Sequence, residues 1–205
     1  MAVVTCLDME GVLTPEIWIN VSRKTGIEKL KLTTRDISNY DELMTMRLGI
    51  LEEHGLKLAD IQEVIASLPL LEGARDFLDS LRRRCQVIIL SDTFYEFADP
   101  LIEKMNRPTL FCNSLEIDGD GKIANYHLRQ KDGKRKAVQA LHSLNFQVIA
   151  AGDSYNDTTM LGEAEAGILF RPPQNVIDEF PQFPVTETYE QLRSEIDKAL
   201  ERIGG

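Results

Sequence analysis

Two acidic residues follow the first apolar stretch of the chain. Asp8 and Glu10 come directly after the β-prone run 2–7, and residues two apart in an extended chain point to the same side. If the run is a parallel strand, both carboxylates lie at its carboxyl end, where open α/β sheets bind ligands. One carboxylate can then attack phosphorus while the other protonates the leaving alkoxide and later acts as general base. The pair predicts phosphoryl chemistry on Asp8; two acidic residues that only cap a strand are the alternative.

A second acidic group follows another apolar run, at residues 147–151. In the sequence Gly152-Asp153-Ser154-Tyr155-Asn156-Asp157, the carboxylates of Asp153 and Asp157 are hard oxygen ligands of the kind that Mg²⁺ prefers. A bound cation would neutralise the acidic site and let a phosphate dianion approach Asp8. An ordinary surface turn is the alternative for this segment alone, but two acidic strand ends together favour a metal-assisted site.

Two further segments predict anion binding. Ser91-Asp92-Thr93 follows the apolar run 86–90, and we expect its hydroxyl and the free N–H groups of a helix start to hold phosphoryl oxygens. Lys134 opens a predicted helix before the Asp153 strand, so its ammonium can reach the strand ends as a point charge. Lys131 and Lys136 lie nearby and remain alternatives for the phosphate-binding lysine.

The elements that must position these residues alternate between strands and helices. Predicted strands cover residues 2–7, 86–90, 110–112, 147–151 and 167–170, and predicted helices cover 40–54, 58–67, 74–84 and 134–144. The alternation indicates an α/β fold with a parallel, Rossmann-like sheet. About eighty residues separate the first two strands, far more than one crossover needs. We therefore expect a catalytic core of residues 1–14 and 71–205, with a small helical cap inserted at 15–70.

Residues 115–128 follow a different pattern. Residues 115–117 and 123–128 flank Asp-Gly-Asp-Gly, and this arrangement predicts a β-hairpin. The tetrapeptide lacks the ligand series of a calcium-binding loop, so a turn is the better interpretation.

Composition limits the class of partner. The net charge of −10 provides no basic surface for a nucleic-acid backbone, and no apolar run approaches the length of a membrane span. The chain has three cysteines without metal-ligand spacing, which we interpret as buried reduced thiols of a cytoplasmic protein. We expect small-molecule substrates, with neither nucleic acid nor membrane as a partner. A homodimer is possible, but the sequence carries no sign of the oligomeric state.

These segments together resemble the haloacid-dehalogenase-type phosphohydrolases over nearly the whole chain. The stretch Asp8-Met9-Glu10-Gly11-Val12-Leu13-Thr14 is similar to the nucleophile motif of that family, and Ser91, Lys134 and Gly152-Asp153 with Asp157 resemble its other three motifs. The resemblance implies a Rossmann-like core, an aspartyl-phosphate intermediate and Mg²⁺. It also implies that Asp8, the backbone carbonyl of Glu10 and Asp153 hold the metal, with Asp157 in support.

Within that family the chain is most similar to phosphoserine phosphatases. These enzymes carry a Glu shortly after the nucleophile and an Arg in a helical cap, and Glu16 and Arg47 occupy those places. The resemblance implies that Glu16 binds the substrate ammonium, that Arg47 binds the substrate carboxylate through a bidentate guanidinium, and that Asn156 contacts the phosphate or the substrate.

The motifs depart from the usual phosphoserine phosphatase pattern at two places. Glu10 stands where the acid/base is usually Asp, and Ser-Asp-Thr at residues 91–93 replaces the usual Ser-Gly-Gly. Both departures resemble a bifunctional subgroup that also transfers the phosphoryl group from L-phosphoserine to homoserine. Whether water or homoserine is the physiological acceptor stays open at this stage.

Two rival interpretations remain. An enolase-phosphatase of the same superfamily also uses an Asp-x-Glu-Gly motif, but Glu16 and Arg47 favour an amino-acid phosphate because each then has a charged partner. A non-catalytic receiver-type switch would be phosphorylated on Asp8 without turnover. It would need neither a helical lid nor an acid/base such as Glu10, so the sequence favours an enzyme.

Overall fold

A single twisted sheet forms the centre of the computed structural model, which describes residues 2–33, 36–37 and 39–204. Its strands are β1 (Ala2–Leu7), β2 (Gln86–Phe94), β3 (Thr109–Ile117), β4 (Ile123–His127), β5 (Phe146–Gly152), β6 (Ala166–Phe170) and β7 (Val185–Thr186). In the described chain their order is β4-β3-β2-β1-β5-β6-β7, and only the β3–β4 pair is antiparallel. The predicted α/β fold class is confirmed, and β1, which leads into Asp8 and Glu10, is the central strand.

Helices cover both faces of this sheet. They are α1 (Ile17–Thr25), α2 (Tyr40–Glu53), α3 (Leu58–Ser67), α4 (Ala74–Arg82), α5 (Tyr95–Lys104), α6 (Gly133–Ser143), α7 (Thr158–Glu163), α8 (Gln174–Glu179) and α9 (Tyr189–Gly204). On one face lie α4, α5 and α9, and on the other α6 and α7. Alternate β1 residues enter the two cores, with Leu7 in one and Val4 and Cys6 in the other. Burial on both faces explains the continuous apolar run of β1.

The segment between β1 and α4 is helical, and it is fastened to the core. It contains α1, a 3-10 helix at Glu28–Lys31, α2 and α3. Gln62 of α3 donates to the Glu96 carbonyl at 2.7 Å. Lys104 of α5 donates to the carbonyls of Ala66 at 2.7 Å and Leu68 at 2.6 Å, beyond which the chain returns to the core. These bonds fix the helical segment over the carboxyl end of the sheet.

The structure corrects the expected boundaries of two strands. The Ser91-Asp92-Thr93 segment does not follow the second strand but lies inside it, because β2 continues to Phe94 and α5 begins only at Tyr95. The pairing of β2 with β3 shifts register between Leu90 and Phe94, so this segment is irregular within the strand. Residues 110–112 and 115–117, predicted as separate strands, belong to the single strand β3.

The state of the cysteines and the length of the helices can also be compared with the expectations from the sequence. Cys6 and Cys112 are buried as expected, whereas Cys85 is only half-buried, and all three are free. Cys85 differs because it lies in the turn between α4 and β2 rather than within a strand. Within the described chain, helices long and apolar enough to cross a bilayer are absent.

Candidate active site

One cavity of about 690 Å³ gathers nearly all of the predicted site residues. Its walls include Asp8, Glu10, Glu16, Arg47, Ser91, Asp92, Lys134, Asp153 and Asn156. The predicted supporting residue Asp157 lies directly behind, where it contacts Lys134. The cavity opens at the carboxyl ends of β1, β2 and β5, and α1 and α2 of the inserted segment close one side. The sheet and the inserted helices thus bring together five segments that are far apart in sequence.

Asp8 is held rigidly at the end of the central strand. Its backbone N–H donates to the Ala151 carbonyl of β5 at 2.9 Å. Its carboxylate Oδ1 accepts from the Met9 N–H at 2.7 Å and lies 2.9 Å from the Lys134 Nζ. The side chain is almost fully buried. Burial, together with the nearby carboxylate of Asp157, raises the pKa of Asp8 well above its usual range, although Lys134 opposes the shift.

Three carboxylates converge beside Asp8 in a way that suits a divalent cation. Oxygens of Asp8, Asp153 and Asp157 lie within 4.8 Å of one another. Burial, which disfavours the charged form, and repulsion from the Asp157 carboxylate raise the pKa of Asp153 to about 7. Three ionised carboxylates beside the Lys134 ammonium would leave two negative charges, which a divalent cation can balance. Carboxylate oxygens are also the hard donors that Mg²⁺ prefers. The arrangement can hold a metal ion.

Gly11 makes room for this cluster. Its φ of +77° lies in the left-handed region, and a Cβ placed there would come within 2.4 Å of the Asp153 carboxyl group. Glycine is therefore required both by the backbone and by the close approach of Asp153.

Asp157 has a different position from the other two carboxylates. Its Oδ2 accepts from the N–H groups of Asp153 at 3.0 Å and Ser154 at 3.1 Å, and its Oδ1 accepts from Lys134 at 2.7 Å. Both oxygens are thus engaged by the protein. This geometry suits a residue that positions Asp153 and Lys134.

Of the three candidate lysines, Lys134 is the one that reaches the strand ends. It is buried at the start of α6, with Nζ 2.7 Å from Asp157, 2.9 Å from Asp8 and 3.3 Å from Asp92. Burial alone would lower the pKa of Lys134, but these three carboxylates raise it well above the usual value. Lys131 and Lys136 are exposed at the rim of the cavity. The geometry favours Lys134 as the ammonium beside a bound phosphate.

Glu10 faces the helical side of the cavity. Its Oε2 accepts from the Ile17 N–H, the first of α1, at 2.8 Å. Burial and the adjacent Glu16 carboxylate raise the pKa of Glu10 to about 8, although the bond from Ile17 opposes the shift. A carboxyl group with this pKa still carries its proton near neutral pH, as a general acid must.

Arg47 is buried in the opposite wall without a full set of partners. Its guanidinium lies 4.4 Å from the centre of the Trp18 ring, and one terminal N–H group donates to the Leu32 carbonyl at 2.7 Å. Its Nε has no hydrogen-bond partner in the described chain. Burial lowers the pKa of Arg47 to about 10, so the side chain remains a cation near neutral pH. Arg47 lines the cavity, and a buried cation in such a wall, with one donor still unpaired in the described chain, suits an anionic ligand.

The predicted phosphate-binding segment on β2 is preorganised. Ser91 is buried, and its hydroxyl oxygen accepts from the Thr93 N–H at 3.3 Å. Asn156 donates through Nδ2 to Asp92 Oδ2 at 2.8 Å. The Asp92 side chain therefore points into the site and contacts Asn156 and Lys134 rather than facing solvent alone.

Two aromatic residues of the inserted helices α1 and α2 contribute to the cavity wall. Neither Tyr40 nor Trp18 had a role in the site assigned from the sequence, and both line the cavity. Trp18 also packs edge-on against Phe97, so it serves the core as well. Tyr40 precedes Arg47 by seven residues, which is two helical turns. That spacing on one helix face is the signal that could have identified Tyr40.

Comparison with known proteins agrees with this geometry. Residues 5–165 match the family model described as haloacid dehalogenase-like hydrolase. The phosphoserine phosphatase ThrH of Pseudomonas aeruginosa is 63% identical over 199 residues, which cover 97% of this chain and 97% of that protein. A phosphoserine phosphatase of Pseudomonas syringae pv. tomato is 61% identical over 199 residues, covering 97% of this chain and 84% of that protein.

Solved structures share the fold at low identity. The crystal structure of a phosphoserine phosphatase in apo form superposes with a TM-score of 0.74 at 19% identity and covers 91% of this chain and 94% of that chain. A phospho-aspartyl intermediate analogue of phosphoserine phosphatase gives a TM-score of 0.70 at 19% identity, covering 90% and 92%.

Proposed function

Because this chain belongs to the haloacid dehalogenase-like hydrolases, we propose that it is a magnesium-dependent phosphatase that hydrolyses L-phosphoserine through an aspartyl phosphate on Asp8. The family resemblance expected from the motifs is confirmed. The substrate assignment is carried by Arg47, a buried cation with an unsatisfied donor in the wall of the cavity that holds Asp8. Relatives covering almost the full chain carry the name phosphoserine phosphatase.

The substrate lies between the two sides of the cavity. Its carboxylate meets the Arg47 guanidinium, and its ammonium group meets Glu16 at the start of α1, since both residues line the cavity on the helical side. Its phosphoryl group lies at the strand ends, where Ser91, Lys134 and Asn156 provide donors. An enolase-phosphatase substrate carries no ammonium group for Glu16, so we favour the amino-acid phosphate.

Two residues carry the chemical steps. Asp8 attacks phosphorus, the new bond joins its carboxylate to the phosphoryl group, and the bond from phosphorus to the serine oxygen breaks. Glu10 gives its proton to that leaving oxygen and then takes one from the attacking water, which releases phosphate and restores Asp8. The metal, held by Asp8, the Glu10 carbonyl and Asp153, would neutralise charge on the phosphoryl oxygens. Turnover of this kind separates the protein from a receiver-type switch.

We propose that homoserine can replace water as the acceptor. Homoserine carries the same ammonium and carboxylate groups as serine, so Glu16 and Arg47 can bind it after serine has left. The homoserine hydroxyl then approaches the phosphorylated Asp8 from the side of Glu10, which accepts its proton.

The division of the chain follows from these roles. Residues 15–70 act as the cap that excludes water, and residues 1–14 and 71–205 form the catalytic core.

The Arg47→Ala variant tests the substrate assignment. We expect kcat/KM for L-phosphoserine to fall by roughly a hundredfold or more, since about 3 kcal/mol of charge-assisted binding is lost. The kcat/KM for a simple aryl phosphate should change only a few-fold, because that substrate has no carboxylate. Steady-state kinetics with Mg²⁺ measure both values.

Arg23→Ala is the matched control, since Arg23 is an exposed arginine of the neighbouring helix α1. It should leave both substrates unaffected. Equal losses of kcat/KM on the two substrates in Arg47→Ala would mean that Arg47 does not recognise the substrate carboxylate.

Homoserine added to the wild-type protein with L-phosphoserine should yield homoserine phosphate at the expense of inorganic phosphate. If no homoserine phosphate forms, the proposed transfer activity is wrong, and the proposed hydrolysis is unaffected.

A further inference from the structure

Asp92 places a negative charge among the groups assigned to the phosphoryl oxygens. Its Oδ2 lies 2.8 Å from the Asn156 Nδ2 and 3.3 Å from the Lys134 Nζ. Both residues line the cavity, and the Lys134 Nζ also lies 2.9 Å from Oδ1 of Asp8, the proposed nucleophile. An anion therefore already stands at this position before any substrate binds.

The Asp92 carboxylate and a bound phosphate cannot both use these donors fully. Lys134 already has two further carboxylate neighbours, Asp157 and Asp8, and a phosphate dianion beside an ionised Asp92 would suffer like-charge repulsion. The Asp92 side chain is 49% exposed, so it has open space into which it can rotate when phosphate arrives. Asp92 lies in the stretch of β2 where the pairing with β3 shifts register, and it lines the cavity.

From this geometry we infer that Asp92 is an internal competitor of phosphate, which occupies the Lys134 and Asn156 donors in the empty site and weakens the binding of free phosphate. The inference rests on the proposed function in assigning those donors to the phosphoryl group. Free phosphate is the product of hydrolysis, so the competition speeds its release. Phosphoserine overcomes the same competition because Arg47 and Glu16 add binding that phosphate alone lacks.

The sign of one binding change tests this role. Asp92→Asn keeps the shape of the side chain and removes its charge. We expect inorganic phosphate to bind the Mg²⁺-loaded variant roughly three- to tenfold more tightly, as fits the loss of one partly screened like charge. Isothermal titration calorimetry with inorganic phosphate measures this directly, and the inhibition constant of phosphate against L-phosphoserine should fall by the same factor.

A matched control separates this effect from general electrostatics. Asp132 also lines the cavity, is exposed, and is bonded to Thr159 rather than to a phosphate donor. Asp132→Asn removes the same charge, so its phosphate affinity should stay within about twofold of the wild-type value. Asp92→Gly should tighten phosphate binding as Asp92→Asn does, which shows that the charge rather than the new amide is responsible.

Two results would overturn the inference. Weaker phosphate binding in Asp92→Asn would mean that Asp92 supports the donors rather than competing for them, and an unchanged affinity would mean that it does neither. Phosphate binding is measured without any turnover. If Asp92→Asn binds phosphate more tightly but the wild-type protein does not hydrolyse phosphoserine, the proposed function is contradicted. The role of Asp92 in phosphate binding would still stand.

Discussion

At the residue scale, Glu10 combines an unusual environment with a demanding role. Its carboxylate lies at the start of α1, near Glu16, and burial together with this neighbour raises the pKa of Glu10 from 4.5 to about 8. The same shift couples Glu10 to folding, because the folded protein then binds a proton that the unfolded chain has released. Stability from this group is full below about pH 4.5 and is lost as the pH rises towards 8.

We therefore predict that Glu10→Gln flattens the pH dependence of stability. In the presence of a chelator, the free energy of unfolding of the wild-type protein should fall between pH 5 and 8, and the share from Glu10 is at most about 1.4 kcal/mol per pH unit. A glutamine side chain is neutral at every pH, so Glu10→Gln removes the contribution of Glu10 to the pH dependence of the free energy of unfolding. Urea unfolding at several pH values measures it, with the exposed Glu63→Gln as control. Parallel slopes in Glu10→Gln and wild type would contradict the shifted pKa.

Residue types and spacing were enough to find the acidic site but not its internal contacts. Asp8 and Asp153 could be assigned because each follows an apolar strand, and parallel strands end at one edge. Lys134 could not be separated from its neighbours Lys131 and Lys136, since only the three-dimensional position of α6 decides which ammonium reaches Asp8. The contact of the Asp92 carboxylate with Lys134 was also beyond prediction, because Asp92 lies where the β2–β3 pairing shifts register and regular strand alternation does not hold.

At the scale of the elements, the inserted helices owe their position to bonds at the ends of α3 and α5. Lys104 donates to the carbonyl of Ala66 in the last turn of α3 and to that of Leu68 just past it, where carbonyl groups lack helical partners. We predict that Lys104→Met, which keeps most of the apolar stem, lowers the free energy of unfolding by about 1–2 kcal/mol. Chemical denaturation followed by circular dichroism measures the change.

The control for this prediction is Lys198→Met. Lys198 lies on α9, and its one ion pair within the described residues is the exposed contact with Glu195 three residues away, so its loss should cost no more than about 0.5 kcal/mol. Equal effects of the two substitutions would show that the Lys104 bonds do not fasten the helical segment.

The elements themselves were predictable where their patterns were regular. The apolar runs of β1 and β5 and the stripe of α6 marked their elements within a residue or two. The helix α9 was not predicted although its buried Leu192, Ile196 and Ala199 follow helical spacing. The start of α5 was hidden because Thr93, Phe94 and Tyr95 favour a strand and Pro100 lies inside the helix.

At the scale of the whole molecule, the fold solves an electrostatic problem. The chain carries a net charge of −10 and must still bind an anionic phosphate ester. The sheet collects its acidic residues at one edge, where a divalent cation and the buried Lys134 can offset them, and the helical segment adds Arg47 from the other side. Length and composition indicated the problem, whereas only the assembled fold shows where each charge lies.

The most direct test of this account is to look for the phosphorylated enzyme. L-phosphoserine labelled in its phosphoryl group is mixed with the protein and Mg²⁺ and quenched with acid within one turnover. We predict that labelled phosphate is found on the protein and that hydroxylamine removes it. The lifetime of the labelled protein should become shorter when homoserine is added. The label should be absent in Asp8→Asn and present in the control Asp132→Asn. Acyl-phosphate label that persists in Asp8→Asn, or phosphate release by that variant at the wild-type rate, would contradict the central claim.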